Sequence, residues 1–579
     1  MIDSRAPRRN GTTFKPRERI GLLVLPGLLL GLMAGCTRPP EPQNLDWSLY
    51  GNDYANTRYS RLDQIHAGNV ANLKVAWTFD LDNLEAQECT PLAIGGTLFV
   101  TTASGPRHVY ALDAQTGAQK WKHDFEMPED FQRYACCGIV NRGPSYADGK
   151  LLVGRLDGHL TALDARTGEE IWTAQVVDYL QGSVITSPPL IVGSKVITGF
   201  GGGEYGARGS ITAYDLGTGK EVWKTWTIPG AGEPGNDTWK GDSWKTGGGA
   251  PWFIGSYDPD LNLIYWGTSN PSPWKAAVRG PDSSDYGKMT NLYSASTLAL
   301  DATTGEIRWY YQTTPYDAWD YDGVNELVLA DLKLDGKQVP VVMKADRNGF
   351  FYILNRRTGK LLSAEKYVPA NWAERIDLET GRPVEIPESR PTADHRVKDV
   401  YPSFLGGKNW EPMAYNPDTG LVYIPANNLA MEMGTGEVMY QRGLFFLGSE
   451  WEMHPGPGGN IAELLAWNPV TQEKVWSVPQ KFALHGGATT TAGNLVFMGG
   501  IDGLFSAYNA TSGERLWSYT AVSGINAAPM TYLVRDKQYV AVTVGRPTII
   551  PGFIGGAMGK AMVDATPPGG MVVAFSLAD

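Results

Sequence analysis

The chain is poor in charge and in histidine, and it has no basic excess. Of 579 residues 19% are charged, with 50 Lys+Arg against 61 Asp+Glu. The net −11 leaves no cationic surplus to neutralise phosphates, which argues against a nucleic-acid partner. Low charge combined with 42% hydrophobic residues excludes a chain that stays disordered. The 7 histidines show no zinc-protease spacing. No Cys-x-x-Cys-His occurs, so this chain attaches no c-type haem. No stretch after Cys36 approaches the ~18 apolar residues of a membrane helix. What is abundant is glycine, 69 residues, and tryptophan, 19. That pairing suggests tight turns and short strands rather than helices. Length alone allows about four domains at roughly 150 residues each, a count the repeats below reduce to one.

Residues 1–19 carry Arg5, Arg8, Arg9, Lys15, Arg17 and Arg19 against Asp3 and Glu18, and an apolar run follows from Ile20. A basic start, an apolar core and small residues at its end describe a secretory signal peptide over residues 1–35. The ending Leu32-Met33-Ala34-Gly35-Cys36 is similar to a bacterial lipobox. Two readings stay open: Cys36 carries a lipid anchor, or the signal is an ordinary cleavable one. Removing residues 1–35 takes away a net +4 and moves the whole-chain −11 to −15. Residues 36–45 read as a tether, and the expected body is exported into an oxidising compartment, the periplasm.

The body repeats. Ala111–Trp121, Ala162–Trp172 and Ala213–Trp223 start 51 residues apart. The pattern returns at Ala299–Trp309, Ile353–Ser363, Ala466–Trp476 and Ala507–Trp517. Internal repeats of this length indicate a solenoid or propeller. Each copy reads as a hairpin: a strand, an Asp or Asn that starts the turn, Thr-Gly that completes it, and a strand bearing Trp. Trp recurs in six of the seven copies, so it reads as packing between units. Met571–Ala578 matches the first half of the motif and Val75–Leu81 the second half. Joined, they make an eighth unit. The expected fold is all-β: one eight-bladed β-propeller of four-stranded blades over residues 46–579, closed across the N- and C-termini. Its loops at one end of the channel are where a site belongs.

Three features carry chemistry. Cys136-Cys137 are adjacent, with Cα atoms ~3.8 Å apart across a trans peptide, below the usual ~4.4–6.8 Å disulfide range. A strained vicinal bridge, two reduced thiols, or pairing with Cys89 are all open on the residues alone. Asp320-Tyr321-Asp322 puts two carboxylates on one side if the backbone is extended. They repel unless a cation lies between them; a polar turn is the plainer reading. Gly201-Gly202-Gly203-Glu204 brings backbone close to something crowded and then supplies a carboxylate, though a flexible turn explains it equally.

Taken together, the motifs resemble the quinoprotein alcohol dehydrogenases, which use pyrroloquinoline quinone (PQQ). The resemblance covers almost the whole body. It runs through Tyr50–Ile65, Ala135–Gly143, Gly201–Gly209, Trp239–Trp252, Gly267–Trp274, Thr314–Glu326, Lys344–Phe350 and Lys408–Pro412. It implies that a Cys136–Cys137 disulfide ring covers one face of the quinone and Trp252 the other. It implies cofactor contacts at Glu88, Arg142, Thr186, Gly202, Gly203, Arg347, Asn409 and Trp410. Glu204, Asn270 and Asp320 match metal ligands. Asp320 also matches the catalytic base, and Arg347 the cation beside the reactive oxygens.

Asp322 stands where calcium-using relatives have Ala and lanthanide-using relatives have Asp. A trivalent hard cation prefers more anionic oxygen ligands, which this second carboxylate supplies, so the resemblance implies one lanthanide(III), with Ca2+ as the alternative. The implied reaction oxidises a small primary alcohol to an aldehyde and passes electrons to a separate periplasmic cytochrome c. Two alternatives are a PQQ sugar or polyol dehydrogenase and a non-catalytic lipoprotein propeller scaffold in outer-membrane assembly. Whether two copies form a homodimer is left open. Departures from the family pattern are Gly138, where relatives often have Asp, and His485 and Arg546, where they often have aromatic residues. Cys89 has no assigned role.

Overall fold

The computed structural model describes residues 45–547 and 549–578. The expected signal peptide, Cys36 and the tether up to residue 44 lie outside them. Among the described residues no helix is long and apolar enough to cross a membrane.

The fold is all-β and of β-propeller type. The described strands include seven four-stranded antiparallel sheets and one five-stranded sheet, in which Tyr59–Ser60 adds a parallel edge to four antiparallel strands. Two small extra sheets decorate them. One pairs Ala373–Asp377 with Arg382–Glu385; the other joins Val397–Val400, Leu429–Thr435 and Ser449–Pro455. Leu73–Asp80 pairs antiparallel with Met571–Leu577, Leu73 opposite Leu577 and Asp80 opposite Met571. The two half-motifs at the ends of the chain therefore share one sheet.

The repeat motif has a local cause. The Asp113 carboxylate accepts from the N–H groups of Gln115 and Thr116 and from the Thr116 hydroxyl at 3.0–3.1 Å. This side-chain turn reverses the chain. Gly117 then adopts φ 74°, a left-handed conformation that glycine takes without penalty. A Cβ there would meet the Trp77 ring of the preceding sheet at 2.5 Å. The same glycine-on-tryptophan contact joins Gly168 to Trp121, Gly219 to Trp172, Gly305 to Trp223, Gly359 to Trp309 and Gly513 to Trp476.

Most of these indoles also donate to a backbone carbonyl of the next sheet. Trp77 reaches Ala114, Trp121 Ala165, Trp172 Leu216, Trp309 Arg356 and Trp476 Ala510. Trp517, in the last complete unit, donates to Leu73, in the strand that pairs with Met571–Leu577. The copy that has Ser363 in place of Trp is compensated. The next unit carries Gln472 where glycine recurs elsewhere, and its amide donates to the Ser363 hydroxyl at 3.1 Å.

The apolar core lies in layers between neighbouring sheets. One layer packs Val341, Met343 and Phe351 against Met413, Val422 and Ile424. Within a sheet, tight turns join the first two strands and the last two strands. Antiparallel pairing then puts the remaining loops, and the connections to the next sheet, at the opposite end. That end holds the candidate site.

Candidate active site

Every expected site residue sits on such a loop or connection. Glu204 is in 199–209, Asn270 in 268–295 and Arg347 in the four-residue turn 346–349. Asp320 and Asp322 are in 313–327, Trp252 in 227–255, and Cys136, Cys137 and Arg142 in 125–144. Glu88, Thr186, Asn409 and Trp410 lie in the connections 81–91, 176–189 and 401–413. Twelve of the fifteen line one cavity: Cys136, Cys137, Arg142, Thr186, Gly202, Glu204, Trp252, Asp320, Asp322, Arg347, Asn409 and Trp410. Glu88, Gly203 and Asn270 stand behind its wall. A single water needs roughly 10–15 Å³ on the measure used for such spaces, and the cavity holds about 200 Å³.

The acidic loop alternates anchors with acids. Trp319 donates its indole N–H to the Ser389 carbonyl at 2.7 Å, and the Tyr321 hydroxyl donates to Pro402 at 2.6 Å. The two rings stack with centroids 5.6 Å apart. Asp317 accepts from the N–H groups of Trp319 and Tyr321, both at 2.9 Å. The odd positions are thus fixed in the core and Asp320 and Asp322 are left facing the cavity. The segment is a turn rather than an extended strand, because Asp320 has φ 66°, in the left-handed region that non-glycine residues seldom occupy. Such a conformation is held only where its surroundings enforce it.

A cation does lie between the two acids, and it is Arg347. Its Nη1 donates to Asp320 Oδ2 at 3.1 Å and its Nη2 lies 2.8 Å from Asp322 Oδ2. Nη2 also donates to Asn409 Oδ1 at 3.1 Å. Gly406 makes room for it, since a Cβ there would lie 2.1 Å from Arg347 Cγ. Asp322 further accepts the Asn270 N–H at 2.6 Å on Oδ1 and the Trp252 indole N–H at 2.9 Å on Oδ2.

One guanidinium does not balance three carboxylates. Burial, then the Asp322 charge, push Glu204 up to about 7. Burial raises Asp320 well above the carboxylate range, against the pull of Arg347 and with help from Asp322 and Glu204. Asn270 Oδ1 and Asp320 Oδ1 are buried with no hydrogen-bond partner. Gly203 keeps that corner open, since a Cβ there would crowd Asn270 Oδ1 at 3.2 Å. Among the described residues no three His, Cys, Asp or Glu side chains are gathered into a ready-made cage.

A disulfide joins Cys136 to Cys137, whose Cα atoms are 3.8 Å apart. Cys89 is the free, buried thiol, and burial raises its pKa to about 11. Opposite, the Arg142 guanidinium lies over the rings of Trp252 and Trp410, at 5.3 and 4.5 Å. It pairs with Glu88 at 2.9 Å through Nη2, leaving Nε and Nη1 buried without a partner. His485, a departure in the sequence, sits between two acids: Nε2 is 3.2 Å from Glu88 Oε1, and Nδ1 is 3.0 Å from Glu411 Oε1.

Sequence reasoning missed several neighbours. Asn325 accepts the Arg347 N–H at 3.1 Å and donates to the carbonyls of Lys408 and Asn409. Asp317 and Glu411 brace the site from behind. Phe404, Trp451 and Phe553 line the cavity from distant parts of the chain. Only Asp317 had a local signal, the alternation of aromatic and acidic residues through Asp317–Asp322.

Sheets arranged as a propeller around a buried acidic cluster, roofed by a vicinal disulfide, define a quinoprotein-type oxidoreductase. Residues 47–399 and 451–540 match the PQQ family profile described as "Glucose/ethanol/alcohol dehydrogenase, beta-propeller domain". The chain is 41% identical over 553 residues to a lanthanide-dependent methanol dehydrogenase of Methylacidiphilum fumariolicum, covering 91% of this chain and 88% of that protein. It is 43% identical over 537 residues to the quinohemoprotein alcohol dehydrogenase ADH IIB of Pseudomonas putida, covering 90% and 76%. Among solved structures, a europium-containing methanol dehydrogenase superposes with TM-score 0.87 at 38% identity, covering 92% of this chain and 98% of that one. The chain belongs to the PQQ-dependent alcohol dehydrogenase family, and it is an enzyme of that class.

Proposed function

We propose that this protein oxidises a primary alcohol to an aldehyde with PQQ and a hard metal ion bound in the cavity. The observation that carries the reading is the pair of unpartnered buried oxygens, Asn270 Oδ1 and Asp320 Oδ1, in a cluster with surplus negative charge. Oxygen donors lacking hydrogen bonds fit a hard cation. Buried arginine nitrogens lacking acceptors, on Arg142 and Arg347, fit the carboxylates and carbonyls of PQQ. The vicinal cysteines and Trp252 supply flat walls for a planar ring system. When bound, PQQ supplies the two-electron oxidation of the alcohol carbon and the metal a Lewis acid.

The chain's own groups do the rest. Glu204, Asn270 and Asp320 hold the metal. Asp322 joins them: a carboxylate has about four acceptor sites, and its three hydrogen bonds leave one free. This third anionic ligand, beside Glu204 and Asp320, favours a lanthanide over Ca2+. Glu88, Arg142, Thr186, Gly202, Gly203, Asn409 and Trp410 position the cofactor. Asp320 takes the hydroxyl proton of the alcohol as general base. Arg347 holds Asp320 in place and adds positive charge where negative charge develops. Electrons leave to a separate periplasmic cytochrome c.

We read the frame as eight blades over residues 46–579, closed where the first and last strands pair. The run of tryptophan contacts that returns from Trp517 to Leu73 supports this. Residues 1–35 are read as an export signal, with Cys36 the candidate lipid anchor.

Metal exchange tests the reading. The apo-protein regains its quinone absorption and its turnover with PQQ plus La3+. Restoration by Ca2+ and not by La3+ would refute the lanthanide assignment. Asp320→Asn retains bound PQQ and loses at least ~1000-fold in kcat; full activity in that variant refutes its role as base.

A further inference from the structure

The geometry points to a substrate whose carbon chain is bulky and apolar, an aryl or longer alkyl primary alcohol, in preference to methanol or a polyol. This inference rests on the alcohol dehydrogenase reading above and concerns the half of the cavity which that reading leaves unassigned.

The polar cavity residues gather around Asp320 and Arg347. The remaining wall comes from three segments far apart in sequence. The connection 401–413 brings Phe404, the stretch 445–451 brings Phe445 and Trp451, and the helix α1 (Ile549–Ile554) brings Ile550 and Phe553. Every lining residue from 445–451 and from α1 is apolar. The aromatic members form one body. Phe404 meets Trp451 edge-on at 5.0 Å, Phe553 at 5.7 Å and Trp274 at 5.4 Å. Trp274 in turn meets Trp451 at 5.4 Å. Phe445 is stacked on Tyr205, the neighbour of Glu204, at 4.7 Å.

The helical part is pinned. Arg546 Nη1 donates to the carbonyls of Val563, in the last turn of α2 (Gly556–Asp564), and of Thr566 just beyond it. The side chain of Ile549 lies against Gly138, next to the vicinal pair; a Cβ on Gly138 would meet it at 3.6 Å. The aromatic wall therefore faces the site as a fixed surface.

An alcohol placed with its hydroxyl at Asp320 meets this wall with its carbon chain. The wall gives methanol nothing to hold. The additional hydroxyls of a polyol lose their water there and find no partner. An aryl or alkyl group gains about 0.8 kcal/mol per buried methylene, a factor of about 4 in binding. From methanol to 1-butanol that compounds to about 60-fold in kcat/KM.

The test uses the holoenzyme loaded with PQQ and La3+. kcat/KM is measured for methanol, 1-butanol, benzyl alcohol and glycerol. The expected order is benzyl alcohol and 1-butanol highest, methanol about 60-fold below 1-butanol, and glycerol below methanol. Toluene, which cannot be oxidised here, is expected to shift the tryptophan fluorescence saturably and to compete with 1-butanol. Phe553→Ala and, on a separate segment, Phe445→Ala each lower the benzyl alcohol to methanol ratio about 10-fold through KM. Methanol turned over as well as 1-butanol, or toluene without saturable binding, overturns the inference and leaves the alcohol dehydrogenase reading intact. Loss of turnover on every alcohol, in protein showing its quinone absorption, overturns both.

Discussion

His485 illustrates how a single side chain ties a site to pH. Burial alone would lower its pKa, but hydrogen bonds to Glu411 and Glu88 outweigh it and raise it to about 9 from 6.5. The Trp410 indole N–H also points at Nε2, at 3.1 Å, a bond only the neutral ring accepts. Two carboxylates against one indole favour the imidazolium, with Nδ1–H on Glu411 and Nε2–H on Glu88. A pKa raised in the folded state contributes stability in full below about 6.5. That contribution is lost as pH rises through about 9. Unfolding in urea is expected to show ~3 kcal/mol of stability lost between pH 6.5 and 9.5 that His485→Gln does not show. Parallel pH curves for the two proteins would remove the charged-histidine account. At this scale the sequence exposed the acids but not their partners. Asp320 and Asp322 stand out as neighbours, whereas Arg347 comes from another loop and meets them only after folding.

At the scale of the element, the hairpin is written in eleven residues. The Asp or Asn carbonyl group, the Thr and the left-handed Gly make a turn whose hydrogen bonds all lie within the motif, so its signal survives in sequence. The glycine has a second, non-local duty as the seat of the preceding sheet's tryptophan. Gly168→Ala tests this. Gly168 has φ 79°, and an added Cβ would lie 2.7 Å from the Trp121 ring. A left-handed alanine costs about 1–2 kcal/mol and the crowding about 1–3 more. Thermal unfolding followed by circular dichroism is expected to move down by several degrees. Gly149→Ala makes the control, with φ 72° and open space around its Cβ. Equal losses in the two variants would mean that only the turn matters. The Ser363–Gln472 pair was not legible, because two departures 109 residues apart become one hydrogen bond only in space.

At the scale of the whole molecule, the strand Met571–Leu577 joins the end of the chain to its beginning. Val572, Val573 and Phe575 are almost wholly buried there. Their burial is worth about 5–9 kcal/mol, comparable with the ~5–15 kcal/mol of net stability of a folded protein. A chain ending at Gly570 is expected to lose cooperative unfolding and PQQ binding together. Removing only Ala578 and Asp579 is expected to leave both in place. A truncated chain that still melts cooperatively and binds PQQ would show that the site does not need the terminal pairing.

Sequence alone determined the all-β repeat, the turn that builds it, the pairing of its two ends and the oxygen-rich chemistry of the acids. These depend on contacts within a motif or on residue types that few other chemistries require. The tertiary structure decided the disulfide between neighbours, where the residues alone left bridged, reduced and Cys89-paired states open, the guanidinium wedged between Asp320 and Asp322, and the aromatic wall facing them. Arg347 reaches the two acids from a separate loop, and the aromatic wall is gathered from Phe404, Phe445, Trp451 and Phe553. Their geometry exists only once antiparallel sheets have carried those loops to the same end of the molecule.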